Sequence, residues 1–305
     1  MNNQFDELIK SLARPVTRRQ AIKTLGVGCA GVALARFGLN EAQAITNGVL
    51  DGNGHSNVGG FVWLTNIWTP DPPPVFIGTA SLIHPRVVLT AGHGTHPTEL
   101  AIANGTMTID DLLISFASDA SNPATWHAIS GVVTHPDFEQ PPDANGNIPL
   151  TDVGVAILKE SVTSLPVMPL PPEGFLDALD ASGQLHTGAD RAGFTVVGYG
   201  AVLGDNPKDI PFPPDGLRRV AQSQFRSLHD EWLFLDQNPA QDLGGSGKGD
   251  SGGPTLWTDP STGQETLVAI TSRGNQSFGN KYRVDTQEAL SFLNDVIAKV
   301  EAGEL

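Results

Sequence analysis

The chain has 305 residues, enough for one large domain or two small ones. Hydrophobic residues make up 39%, with 34 glycines and 23 prolines, a balance that points to a turn-rich β protein and away from a helical bundle. A formal charge of −15 argues against nucleic-acid binding, and the chain lacks an 18-residue apolar run, so no membrane-spanning helix is expected.

Residues 1–44 read as an export signal. Thr17-Arg18-Arg19-Gln20-Ala21-Ile22-Lys23 resembles the twin-arginine motif. A short apolar segment follows over residues 24–35, and Ala42-Gln43-Ala44 has the A-x-A form of a cleavage site. Cleavage there implies a periplasmic or secreted bacterial protein, not held at a membrane, that starts at Ile45. Residues 1–44 hold six of the 18 basic and three of the 33 acidic residues, leaving 12 and 30, a net charge of −18. They also hold the single cysteine, Cys29, so the mature chain forms no disulfide and a large core must supply its stability.

In the mature chain, residues 61–68 alternate as a strand, and Asp71-Pro72-Pro73-Pro74 is a surface loop. Residues 76–82 and 86–90 read as two β segments joined by a His84-Pro85 turn, and they lead into Thr90-Ala91-Gly92-His93-Gly94. His135-Pro136-Asp137-Phe138 follows Val132-Val133, and a Pro/Asn/Gly loop over 139–151 delivers Asp152 to the head of the apolar strand Val153-Gly154-Val155-Ala156-Ile157-Leu158. A carboxylate there is costly if buried alone, and a histidine N–H is its natural partner. Residues 166–191 form a connector, Val196-Val197-Gly198-Tyr199-Gly200 a strand and turn, 201–217 a loop, and 228–235 a strand. Beyond Pro254, residues 255–257 and 267–271 are strands. Residues 285–302 are a helix with a capping pair at Asp285 and Glu288 and an apolar face of Leu290, Leu293, Ile297 and Val300. The sequence contains no internal repeat.

The most specific stretch is Gly247-Lys248-Gly249-Asp250-Ser251-Gly252-Gly253-Pro254. Glycines around one serine permit a tight, exposed turn with backbone N–H groups aimed at a ligand oxygen, which is what a nucleophilic hydroxyl requires. The stretch also satisfies G-x-S-x-G, whose triad runs serine, acid, histidine. The eight histidines are His55, His84, His93, His96, His127, His135, His186 and His229, and all precede Ser251, which excludes that order. An order of acid, histidine, serine survives only with Asp51 as the acid, and nothing around Asp51 or Ser251 suggests the helical setting it needs. A His93/His96 metal pair lacks a completing cysteine or carboxylate cluster, so no metal or organic cofactor is expected.

Gly-Asp-Ser-Gly-Gly-Pro at 249–254 resembles the signature of the trypsin-like serine proteases. The stretches ending in Thr90-Ala91-Gly92-His93 and starting at Asp152-Val153-Gly154-Val155 are similar to that family's histidine and aspartate segments, in the family's order. Gly92, Gly94 and Gly78 depart from its usual alanine and two bridging cysteines, which removes both halves of one disulfide together. The resemblance covers residues 45–302 and implies an all-β fold: two antiparallel six-stranded barrels over about 45–165 and 190–284, then a C-terminal helix, 285–302. It implies a serine endopeptidase acting on polypeptides, with Ser251 as nucleophile, His93 as base and Asp152 as its orienter. The oxyanion hole would be the N–H groups of Gly249 and Ser251. The substrate pocket would be bordered by Gly245, Ser272 and Gly274, with Ser272 bonding near Asp152. Ile45 and Asp250 would be an activation pair formed after cleavage. Gly245 puts no charge at the pocket base, so apolar side chains are the expected substrates, with Lys248 and Arg273 at the rim as the feature favouring acidic ones. A vestigial binding protein on the same fold is the alternative, and such proteins usually lose a triad member.

Overall fold

The strands of this chain are built from β-branched and aromatic residues alternating with polar ones. Arg219–Leu228 shows the pattern, burying Ala221, Ser223 and Phe225 while Gln222, Gln224 and Arg226 point outward. The computed structural model describes residues 45, 47–65, 73–138, 151–186, 191–201, 214–275 and 277–305. The expected export signal, the 139–150 stretch and residues 202–213 lie outside the described residues.

Barrel one comprises β2 (Val58–Trp63), β3 (Val75–His84), β4 (Val87–Thr90), β5 (Leu112–Ser115), β6 (Trp126–Thr134) and β7 (Gly154–Leu158), closed in the order β2-β3-β4-β7-β6-β5. Barrel two comprises β8 (Gly193–Gly198), β9 (Arg219–Leu228), β10 (Trp232–Asp236), β11 (Pro254–Thr258), β12 (Glu265–Gly274) and β13 (Phe278–Arg283). Its ring β8-β9-β10-β13-β12-β11 closes through the β8–β9 and β8–β11 pairings. Every pairing is antiparallel, and both barrels connect their strands in one order, first-second-third-sixth-fifth-fourth. The short β1 (Val49–Leu50) precedes barrel one in the chain but pairs with β9 of barrel two. A closed sheet leaves no free edge, and two of them with a C-terminal helix fit a chymotrypsin-like fold.

Three cores follow from the two faces of each sheet. Leu82, Val88, Ile114, Ala156 and Leu158 fill barrel one. Phe194, Phe225, Leu233, Leu235 and Val268 fill barrel two, joined by Ile45. The outward residues Leu89, Val153, Val155 and Ile157 of barrel one meet Val197, Tyr199, Leu256 and Ile270 of barrel two, with the C-terminal helix on the same layer. This layer explains why β7 is buried at every position, with Ala156 and Leu158 facing one core and Val155 and Ile157 the other.

Polar groups tie the barrels together as well. The fully buried Arg218 donates to Asp51 (2.7 Å), to the carbonyls of Val58, Phe116 and Gly52, and to the Tyr199 hydroxyl. Tyr199 in turn donates to the Ala117 carbonyl at 2.6 Å. Asp51 also holds His55, whose ring reaches Glu265 at 3.2 Å. Burial works against the His55 cation, but its bonds to Asp51 and Glu265 outweigh it and lift the imidazole to about 9.

Three helices are present among the described residues: α1 (Gly92–Ala103), α2 (Phe175–Ala181) and α3 (Gln287–Ala302). Neither α1 nor α2 was expected: no element is assigned to the residues after His93, and 166–191 reads as a connector. The cap of α3 is Thr286, whose side chain accepts from the Ala289 amide, and not Asp285. Asp285 is fully buried and takes the Leu176 amide and the Arg283 guanidinium instead. The buried face of α3 is Ala289, Phe292, Leu293, Val296 and Val300, one step round from the expected stripe, with Leu290 and Ile297 at its margin.

Candidate active site

His93 and Asp152 are brought together by strand register. Thr90 at the end of β4 pairs with Gly154 at the start of β7, so residues just beyond these ends meet at one corner of barrel one. The Asp152 carboxylate accepts from the His93 backbone N–H at 2.8 Å and from ring Nδ1 at 2.9 Å. It also accepts the Ser272 hydroxyl of β12. Burial disfavours ionised Asp152, but the charge and hydrogen bond of His93, with the Ser272 hydroxyl, hold its carboxyl below the usual range. Burial likewise opposes protonated His93, and the Asp152 charge and hydrogen bond overcome it and raise the imidazole. The other ring nitrogen, Nε2, lies 2.8 Å from Ser251 Oγ.

Ser251 sits on the turn between β10 and β11, and barrel one holds that turn by its carbonyls. Gly78 N–H of β3 donates to the Gly249 carbonyl at 3.0 Å, and Thr79 N–H to the Ser251 carbonyl at 2.8 Å. Two glycines make the turn feasible. Gly249 has φ +98°, and Gly252 has φ +80° with a Cβ position only 2.0 Å from Thr90 Oγ1. With the carbonyls taken by β3, the N–H groups of Gly249 and Ser251 have no acceptor among the described residues. Both residues line a cavity of about 580 Å³ that also contains His93. Such a pair of fixed, unpaired donors beside a hydroxyl can bind a developing oxyanion.

The cavity has two unlike ends. Phe61, Trp63, Ile77, Leu112 and Val132 make an apolar end on barrel one. Ser246, Thr271, Ser272, Arg273 and Asn275 border the other end on barrel two. Gly274 borders it too, but Gly245 does not: it lies behind the wall, where a Cβ would fall 2.1 Å from Gln237 Oε1.

Asp250 is fully buried, and its oxygens accept the Gly200 and Gly247 amides, each at 2.7 Å. Burial pushes its carboxyl up to about 6, against those amides and the fields of Lys281 and Arg219. Ile45 is buried in the barrel-two core, and no hydrogen bond or ion pair among the described residues joins it to Asp250. His135 accepts the Asp137 amide and packs its ring on Phe292.

Three side chains that matter here carry no motif. Lys281 lies fully buried behind the barrel-two end, bonded to Ser246 Oγ at 2.5 Å and Thr271 Oγ1 at 3.0 Å. Buried Gln237 bonds the Ser246 and Asn275 carbonyls. Arg218 clamps the barrels as described. The sequence carried no signal for the first of these, since no strand was expected over Phe278–Arg283.

The fold therefore defines a chymotrypsin-like double barrel with a linked Ser-His-Asp set in the cleft. No protein-family model matches the chain, and no curated protein matches it.

Proposed function

We propose that this protein is an exported serine endopeptidase. The observation that carries the reading is the unbroken series Asp152–His93–Ser251 beside the two unpaired amides of Gly249 and Ser251 in an open cavity. His93 Nε2 removes the Ser251 proton as Oγ attacks the acyl carbon of a peptide bond. The carbonyl oxygen becomes an oxyanion between the two amides, where charge-assisted hydrogen bonds are strong. Asp152 keeps Nδ1–H pointed inward and offsets the imidazolium charge. His93 then protonates the leaving amine, the C–N bond breaks, and an acyl-serine ester remains. Water, deprotonated by His93, attacks that ester, and the serine recovers its proton.

Export and activation form the second half of the proposal. Cleavage after Ala44 gives a free amine at Ile45, and a buried carboxylate without a contacting cation, Asp250, is the group such an amine would neutralise. N-terminal sequencing of exported protein should then begin at Ile45, and adding two residues before Ile45 should abolish activity. Full activity of the extended protein would remove this step and leave the triad standing. The reading as a whole is tested with mature protein on a complex peptide pool read by mass spectrometry. Cleavage within chains that disappears in Ser251→Ala is expected, and cleavage retained in that variant would overturn it.

A further inference from the structure

The chain carries a net charge of −15, yet the side chains lining the cavity include no aspartate or glutamate and do include Lys248 and Arg273. Behind the barrel-two wall stands a third cation. Lys281 is fully buried and bonded only to hydroxyls, Ser246 Oγ at 2.5 Å and Thr271 Oγ1 at 3.0 Å, and forms no ion pair among the described residues. A buried ammonium without an anion is expensive, and proteins rarely keep one without a use.

The hydrogen-bond directions say what the use is. An ammonium only donates, so both hydroxyl oxygens must accept from it. Their own protons are then turned elsewhere, and neither hydroxyl donates to another described group. Ser246 and Thr271 both line the cavity. The wall thus presents two O–H donors backed by a positive charge, the pattern that receives a carboxylate. Gly279 keeps the lysine head clear, since a Cβ there would lie 3.2 Å from Nζ. Asp250 reaches Lys281 only through its field: its oxygens accept the Gly200 and Gly247 amides, and it forms no ion pair with the lysine among the described residues. Burial pushes Lys281 down to about 7, opposed by the Asp250 charge, and an arriving carboxylate would help hold the proton on it.

We infer that Ser246, Thr271 and Lys281 form a carboxylate-recognition site that selects polypeptides with glutamate or aspartate beside the cleaved bond. This rests on the endopeptidase reading and replaces the apolar preference expected from Gly245. Gly245 lies outside the cavity lining, and Gly279 opens onto Lys281 and Gln237, not onto apolar space.

The test compares Ac-Ala-Ala-Glu-Ala-Ala-NH2 with its Gln counterpart. Hydrogen bonds to a charged group predict a Glu:Gln ratio in kcat/KM of roughly 10–100, collapsing to about 3 or less in Lys281→Met and falling partway in Ser246→Ala. The second variant keeps the buried cation and guards against misfolding of the first. Calorimetric binding of both peptides to Ser251→Ala gives a readout free of catalysis. The Glu peptide should bind more tightly there, and the difference should vanish when Lys281→Met is added. Equal binding of the two peptides, or a ratio unmoved by both variants, overturns the inference. If Ser251→Ala prefers the Glu peptide while the parent protein cuts neither, recognition stands and the endopeptidase reading falls. If the parent cuts beside apolar residues alone, the reverse holds.

Discussion

In both barrels the third strand pairs with the sixth, so the two share one structural corner. In barrel one the corner joins β4 to β7 and carries His93 and Asp152; in barrel two it joins β10 to β13, with Gln237 just past β10 and Lys281 further along β13, opposite Leu233. The first corner buries an aspartate and satisfies it with the backbone and ring N–H groups of His93, joined by the Ser272 hydroxyl from β12 of barrel two. The second buries a lysine and gives it hydroxyls alone. The first buried charge has a charged or chargeable partner in hydrogen-bond contact, whereas the second has only neutral hydrogen-bond partners and, on the inference above, is completed by something that arrives. On the proposed function and the inference above, one topology thus supplies proton transfer on one side of the cleft and recognition on the other.

The comparison breaks most visibly at the nucleophile and at the barrel-one corner. Ser251→Ala should keep the fold and lower kcat by roughly 10⁴–10⁶, because the three residues act as a unit. Parent-level kcat in purified Ser251→Ala, with an unchanged circular dichroism spectrum, would refute the assignment. Asp152→Asn should cost about 10⁴ by favouring the wrong His93 tautomer. It should also move the acid limb of kcat/KM. The base must be neutral, so activity falls as pH drops through the His93 pKa, which Asp152 raises above the ordinary value of about 6.5. Without that charge the limb should shift to lower pH, and a limb that stays put would mean that Asp152 is not the controlling charge.

The seam between the barrels supplies smaller effects. Arg218→Met leaves Asp51 buried without its guanidinium and strips donors from the Val58 and Phe116 carbonyls of barrel one, so urea unfolding should show a loss of about 3–5 kcal/mol. A loss below 1 kcal/mol would mean that the clamp contributes little. His55 should make the seam sensitive to pH. Its pKa is raised in the folded state to about 9, so the stability it adds is complete below about 6.5 and is lost as pH rises through 9. Replacing His55 with Gln should flatten the stability profile between those values by about 1–2 kcal/mol, discounted because Glu265 is exposed. An unchanged profile would assign the slope to other groups.

How much was readable in advance follows the same division. The histidine, aspartate and serine stand beside glycines and at strand heads because backbone geometry demands it there, and such local demands leave marks in sequence. A turn-rich β protein was legible because turns are rich in glycine and proline, whereas the two barrels came only as what the resemblance implied. Helix α1 was not, since Gly92, Gly94 and Pro97 mimic a loop while the helix is held by its packing on β6 and β7. Lys281 was invisible for a different reason. Its partners Ser246 and Thr271 lie 35 and 10 residues away, and only closure of barrel two brings the three together. Gly245 was misplaced because counting back from Ser251 finds a position along the chain but not the side of the wall it occupies.

The central claim, that Ser251 is an activated nucleophile, is tested most directly by exposing mature protein to a fluorophosphonate and locating the adduct by peptide mass spectrometry. The account predicts one stoichiometric adduct on Ser251, formed slowly in Asp152→Asn and absent in Ser251→Ala. No adduct on correctly processed protein, or an adduct on another residue with Ser251 unmodified, would contradict it.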